Sequence, residues 1–265
     1  MELTRDQIAR FDDEGYLFLP ALFSPAEVAA LRADLPGLLA SEGPEVVRET
    51  EDSAAVRLVY GGHSVSEAFR RLSLHPRLLG PVQQLLRDRV YIHQTRLNPK
   101  QPFGGGTWSW HQDFGTWHRE DGMPKPVCVV TGVFLDEAGA ANAPLLIVPG
   151  SQNHGLIEEA ALDESAKGYT ILEIDRPTLE SLVAEHGLKA LTGPAGSVAF
   201  LHCNIVHGSA NNITPLGRAV FYVNYNAVAN ACRGTKRAWH HCNRDTSPLE
   251  PLPDDCLADL TQAAE

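Results

Sequence analysis

The sequence predicts an α+β fold in which N-terminal helices flank a double-stranded β-helix, or jelly roll. Three observations lead there. Helical apolar stripes are concentrated before residue 90. Beyond it, short stretches rich in β-branched and aromatic residues recur between Gly, Pro and Asn turn signals. No internal repeat or low-complexity linker divides the chain, so residues 1–265 are expected to form one domain.

Thr4 and Gln7 have the spacing of a capping box, and Ile8 and Phe11 continue a helix that Gly15 stops. Tyr16-Leu17-Phe18-Leu19 reads as a short buried strand. Ser24-Pro25-Ala26-Glu27 opens a second helix, with a stripe through Val28, Leu31, Leu35, Leu38 and Leu39 that Pro36 ends or kinks. Residues 41–66 are polar and irregular and read as loop. Leu78, Leu79, Val82, Leu85 and Leu86 mark a helix over about 76–88. Strands follow at Val90–Asn98, around His111, at Val127–Leu135 and at Leu145–Val148. Helix-like pieces, including Thr178–His186, fill 155–190, and Val198–Leu201, Ile205–His207 and Arg218–Asn226 complete the strands.

Composition narrows the function. A formal charge of −11 disfavours nucleic-acid or anionic-membrane surfaces, so an anionic ligand must be held by a few local Arg or Lys. Five Cys with no Cys-x-x-Cys argue against a disulfide framework or a Cys-rich zinc module. The N-terminal residues lack a basic region followed by an apolar stretch, and no run of about 18 apolar residues exists. A cytoplasmic protein without a membrane partner is expected, either monomer or homodimer.

The chemistry concentrates in Trp108-Ser109-Trp110-His111-Gln112-Asp113-Phe114. In an extended strand, His111 and Asp113 project from one face. An imidazole and a carboxylate placed so are two thirds of a 2-His-1-carboxylate triad, which binds Fe(II) and leaves positions open. A distant His must supply the third ligand. His207 is the best placed, at the end of a short apolar strand before Gly208 and Ser209; His202 is a rival. His118 and Glu120 repeat the His-x-acid spacing but precede a Gly122/Pro124 turn. If 205–226 forms a hairpin, Arg218 folds back beside Ser209, and a guanidinium with a hydroxyl makes a carboxylate receptor. Each residue also has a plain reading: a core histidine, an edge-strand charge, or packed tryptophans at 108, 110 and 117.

The run from Trp110 to Pro124 closely resembles the motif of ectoine hydroxylases in the phytanoyl-CoA dioxygenase superfamily. Val90–Asn98, Pro149-Gly150-Ser151 and His207-Gly208-Ser209 with Arg218 match in the same order, so the resemblance spans most of 1–230. It implies a cupin-like jelly roll that uses Fe(II), 2-oxoglutarate and O2 to hydroxylate an unactivated carbon. It makes His111, Asp113 and His207 the iron ligands and puts Arg218 and Ser209 on the distal carboxylate of 2-oxoglutarate. Gln94 and Asn98 would lie near its other end with Trp108 adjoining, and Arg96, Thr116 and Trp117 would line the substrate pocket. Ectoine hydroxylases usually carry Ser and Glu where this chain has Gln112 and Gly115, and an aromatic where it has Leu201. The chain therefore resembles the shorter relatives that hydroxylate free amino acids in natural-product pathways. Ectoine 5-hydroxylation is the alternative, and a non-catalytic cupin-like binding module is an alternative of another class. A related halogenase would lack the carboxylate that Asp113 supplies.

Overall fold

The computed structural model describes residues 1–50, 53–157, 161–162, 171–235, 237–258 and 260. Helix α1 (Arg5–Glu14) begins at the predicted capping box, with Thr4 and Gln7 exchanging hydrogen bonds, and ends at Gly15 in the left-handed region (φ 73°). Strand β1 (Tyr16–Leu19) follows. Ser24 and Glu27 cap α2 (Pro25–Ala33); Pro36 sits in the first turn of the separate α3 (Leu35–Leu39), so the helix breaks where proline predicted.

The 41–66 region departs from expectation. It contains β2 (Val46–Arg48), β3 (Val56–Tyr60) and α4 (Gly62–Val65). All five residues of β3 are buried, because β3 pairs with the major sheet and its polar Arg57 is folded into the structure. Next come α5 (Glu67–Ser73), α6 (Pro76–Leu86), β4 (Val90–Asn98) and β5 (Trp108–His111). Here the strand stops short: Asp113 is the first residue of α7 (Asp113–Asp121), which also takes in His118 and Glu120. The remaining elements are β6 (Cys128–Phe134), β7 (Leu145–Val148), β8 (Ala161–Leu162), β9 (Leu172–Glu173), α8 (Arg176–His186), β10 (Lys189–Leu191), β11 (Val198–His202), β12 (Val206–Ser209) and β13 (Val220–Ala227). Of the helix-like pieces expected over 155–190, those at 158–160 and 163–170 lie outside the described residues.

Two antiparallel sheets face each other as a jelly roll. The larger has the order β1-β11-β6-β13-β4-β3-β2 and the smaller β10-β7-β12-β5. Alternation along each strand sorts side chains between two layers. Val129, Val133, Phe221 and Val223 face outward into a core with Leu31, Leu78, Leu79 and Val82 of the helices. Val130 faces the other way, toward the space between the sheets. At roughly 1.5–3 kcal/mol per fully buried large aliphatic side chain, the helical layer contributes strongly to stability. No helix among the described residues is long and apolar enough to cross a membrane.

The β12–β13 hairpin is not formed. The two strands belong to different sheets, and residues 210–217 cross between them. Asn212 holds the crossing, its amide donating to the carbonyls of Lys100, Gln101 and Leu216. Arg218 then donates its backbone N–H to Lys100 (3.1 Å). The two residues expected beside each other in a hairpin, Ser209 and Arg218, instead line the same cleft between the sheets.

Candidate metal centre and carboxylate receptor

A cleft lined by polar and apolar side chains lies between the sheets. On one wall the register of β5 and β12 sets His111 directly opposite His207. Their rings lie 4.3 Å apart between centroids. Each Nδ1 meets a carbonyl two residues upstream, Ser109 for His111 (2.6 Å) and Ile205 for His207 (3.1 Å). A carbonyl only accepts, so both Nδ1 atoms carry the proton and both Nε2 atoms present lone pairs to the cleft.

Asp113 joins them from the start of α7. Gln112 is still extended (φ −114°, ψ 125°), and the backbone N–H of Phe114 donates to Cys203 (2.9 Å), pinning the helix start beside β11. The carboxylate approaches both imidazoles, Oδ1 at 3.8 Å from His111 Nε2 and Oδ2 at 3.9 Å from His207 Nε2. One ligand atom from each of the three lies within 4.8 Å of the other two, so this set could hold a metal ion. Across the cleft, Arg96 of β4 donates Nη2 to Oδ2 (3.0 Å) and Nη1 to Oδ1 (3.3 Å). Burial alone would raise the Asp113 carboxyl, but Arg96, then His207 and His111, hold it below the usual carboxylate range. Burial, then the neighbouring His207 and Arg96, pushes His111 down to about 3. A neutral imidazole beside an ionised carboxylate fits a divalent cation.

Next to this set the cleft becomes cationic. Arg218 is 2% exposed, and neither its Nε nor its Nη1 has a hydrogen-bond partner. Asn98 Oδ1 is likewise buried and unpartnered. Lys100, just past β4, donates Nζ to Ser209 Oγ (3.1 Å) and to the Gly106 carbonyl. Burial, then Arg218 and Arg57, lowers its ammonium to about 7. Lys100 has a positive φ of 29°, a strained conformation for a side-chain-bearing residue, and the crossing segment bonds to its carbonyl. The open Arg218 guanidinium, a hydroxyl and a lysine amine that an anion would reprotonate form a receptor for a carboxylate. This receptor adjoins the His/Asp set, so the residues fit a metal ion together with a chelating dicarboxylate.

Of the sequence-predicted residues, His111, Asp113, His207, Arg218, Ser209, Asn98, Trp108 and Arg96 line one cleft. Arg96 is there, but its terminal nitrogens are directed to Asp113. Gln94 is not in the lining: its amide donates to the His241 carbonyl (2.7 Å) and accepts from Asn224. Thr116 and Trp117 are outside it too. Because Asp113 starts a helix, both recede along α7 into the core; Trp117 is fully buried, edge-on to His93 at 5.1 Å. His202 belongs elsewhere, facing Phe11, and His118 bonds to the Met123 carbonyl. Sequence reading missed Lys100, Tyr222 and the Arg57 of β3, whose guanidinium stacks 3.9 Å over the Trp108 ring. The signal for Lys100 was a lysine between Pro99 and Pro102. Leu58, Val130, Leu145 and Leu201 make the apolar part of the wall.

Known proteins resemble this chain in sequence and in fold. The family model for phytanoyl-CoA dioxygenase (PhyH) matches residues 11–220. An L-proline trans-4-hydroxylase from Streptomyces griseoviridis is 36% identical over 261 residues, covering 95% of this chain and 97% of that protein. An ectoine dioxygenase from Stutzerimonas stutzeri is 37% identical over 271 residues, covering 96% and 89%. The crystal structure of EctD from S. alaskensis with 2-oxoglutarate and 5-hydroxyectoine superposes with a TM-score of 0.83 at 36% identity, covering 94% of this chain and 87% of that one.

Proposed function

Because this chain belongs to the phytanoyl-CoA dioxygenase family, we propose that it hydroxylates an unactivated carbon of a small free amino acid or amino-acid derivative. It is a non-haem Fe(II)/2-oxoglutarate-dependent dioxygenase. The proposal extends to roles. His111, Asp113 and His207 hold the iron; Arg218, Ser209 and Lys100 take the distal carboxylate of 2-oxoglutarate; Asn98 and Trp108 bound that ligand. Arg96 orients Asp113 and shares the substrate side of the cleft with Tyr222, over whose ring its guanidinium lies at 5.5 Å. The whole chain acts as one catalytic domain.

The observation that carries this reading is the junction, in one cleft, of a two-His, one-carboxylate set with the buried Arg218 guanidinium, two of whose nitrogens have no partner. Bound there, Fe(II) with 2-oxoglutarate supplies the oxygen activation that no side chain can. The protein's part is to hold both Nδ1 protons on backbone carbonyls so that Nε2 faces the cleft, keep the carboxylate ionised and neutralise the co-substrate. Leu201 leaves a wall of branched aliphatics where ectoine hydroxylases carry an aromatic, which favours an aliphatic amino acid over ectoine.

The test is a substrate panel. Iron-loaded protein with 2-oxoglutarate is given free amino acids, L-proline among them, and ectoine in parallel, and succinate and hydroxylated product are measured. Product from an amino acid is the expected result. Product from ectoine alone replaces this reading with ectoine 5-hydroxylation, and succinate with no substrate in the panel removes the substrate class.

A further inference from the structure

We infer that the chain carries a second metal site, built from His93, Cys232 and Cys242, that takes a thiophilic divalent cation such as zinc. His93 lies at a bulge in β4: the register to β13 passes from Gln94↔Asn224 to Ile92↔Tyr225, leaving His93 without a strand partner. A bulge redirects a side chain, and this one points at two thiols contributed by the segment after β13. His93 Nδ1 lies 3.6 Å from Cys232 Sγ, and one ligand atom from each of the three residues falls within 4.8 Å of the others. In a tetrahedral site with Zn–N near 2.05 Å and Zn–S near 2.3 Å, the N···S edge is about 3.6 Å. The His93–Cys232 edge already has that length.

The outer partner is present as well. The other ring nitrogen of His93, Nε2, lies 3.2 Å from Asp121 Oδ2. Asp121 is fully buried and is itself held by Thr235 Oγ1 (3.0 Å) and Arg237 Nε (2.8 Å). Asp121 thus faces the ring nitrogen opposite the one nearest Cys232, the side on which metal-bound histidines carry a carboxylate. A pair of cysteines closing a simple disulfide would need neither the histidine nor the carboxylate. His93 and Cys242 are buried and Cys232 is half-buried, so the site is open enough for loading and closed enough for retention. Three protein ligands leave the fourth position to water. The ion would tie β4 to the C-terminal segment and, through Asp121, to the far end of α7, the helix that begins at Asp113. Its role is structural: the cleft residues of the proposed iron site are not among its ligands.

The experiment uses the full chain, purified under reducing conditions, stripped of metal and titrated with Co²⁺ and then Zn²⁺. Cobalt bound by thiolate gives a sulfur-to-metal charge-transfer absorption that a His/Asp site cannot produce. The expected result is such a band, saturating at one equivalent, bleached by zinc, kept in Asp113→Ala and lost in Cys232→Ser. Because Cys232→Ser could fail to fold, alkylation of the unaltered protein is mapped by mass spectrometry. Zinc in excess over both metal sites should slow labelling of Cys232 and Cys242 by about tenfold or more while sparing the other thiols. No charge-transfer band, or labelling unchanged by zinc, overturns the site. A purified protein whose Cys232 and Cys242 are joined as a disulfide that reduction does not convert to a metal-binding form overturns it as well.

Discussion

Replacing Arg218 by Leu should have two effects of opposite sign. In the ligand-free protein Arg218 is buried, two of its nitrogens are unpartnered, and its charge helps depress that of Lys100. Burying such a cation costs desolvation, which the two unpartnered nitrogens do not recover in hydrogen bonds. An apolar residue there should stabilise the empty fold by about 1 kcal/mol, or roughly 2–4 °C in melting temperature for a chain of this size. The co-substrate complex should respond the other way. Losing a charge-assisted, bidentate pair in a desolvated site costs roughly 2–5 kcal/mol. That is a rise of about 30-fold to several-thousand-fold in the 2-oxoglutarate requirement, at about 1.4 kcal/mol per factor of ten. Melting curves with and without 2-oxoglutarate under anaerobic conditions, paired with succinate release, read both effects at once. A lower melting temperature with an unchanged 2-oxoglutarate requirement would make Arg218 a structural cation and refute the receptor, with Arg96 the next anchor to test.

Three further outcomes are expected. His111→Ala, Asp113→Ala and His207→Ala should each abolish turnover and bound iron, whereas His202→Ala, whose ring faces Phe11, should keep both; the reverse pattern between His202 and His207 would reassign the ligand. Lys100 is lowered to about 7, so 2-oxoglutarate binding restores a proton to it and affinity should weaken as pH rises above about 7, by at most about tenfold per unit. Lys100→Arg, always charged, should flatten the calorimetric profile between about pH 6 and 9, and equal slopes would exclude Lys100. By the same linkage the ligand-free fold gains stability as pH climbs from about 7 toward the ordinary lysine value, because the unfolded chain binds the extra proton. Trp117→Ala should cost about 3–5 kcal/mol of stability, and Trp117→Phe should reduce succinate and product in equal proportion, since the ring is core. A selective loss of product would return Trp117 to the substrate wall.

What the sequence revealed depended on how local each signal was. Capping boxes at Thr4 and Ser24, the break at Pro36 and the strands of the jelly roll are written in neighbouring residues, and all are present. The His111/Asp113 pair was legible, although for an incomplete reason: the strand ends at His111, and a helix start presents Asp113. That one change of element moved Thr116 and Trp117 out of the cleft. Strand β3 was illegible because it lies among polar residues and earns its burial from pairing with β4, a partner over thirty positions away. Lys100 resembled any solvated loop lysine until the 210–217 crossing closed over it. The Cys232–Cys242–His93 cluster escaped because its members are separated by 139 and 149 positions at the histidine, where spacing rules carry no information.

The edge pairing of β1 with β11 bears on how the chain is made. Tyr16 lies against Leu201 and Leu19 against Val198, so the first strand waits for a partner about 180 residues downstream. At roughly 5–20 residues per second of synthesis, that wait is about 10–40 s. During it, the apolar sequence Tyr-Leu-Phe-Leu has an uncovered edge on the ribosome-bound chain. His207 and Arg218 emerge later still, so neither iron nor 2-oxoglutarate can help the nascent chain fold. The early helices, whose capping boxes form from neighbouring residues, are the parts able to shelter that segment until its partner strand arrives.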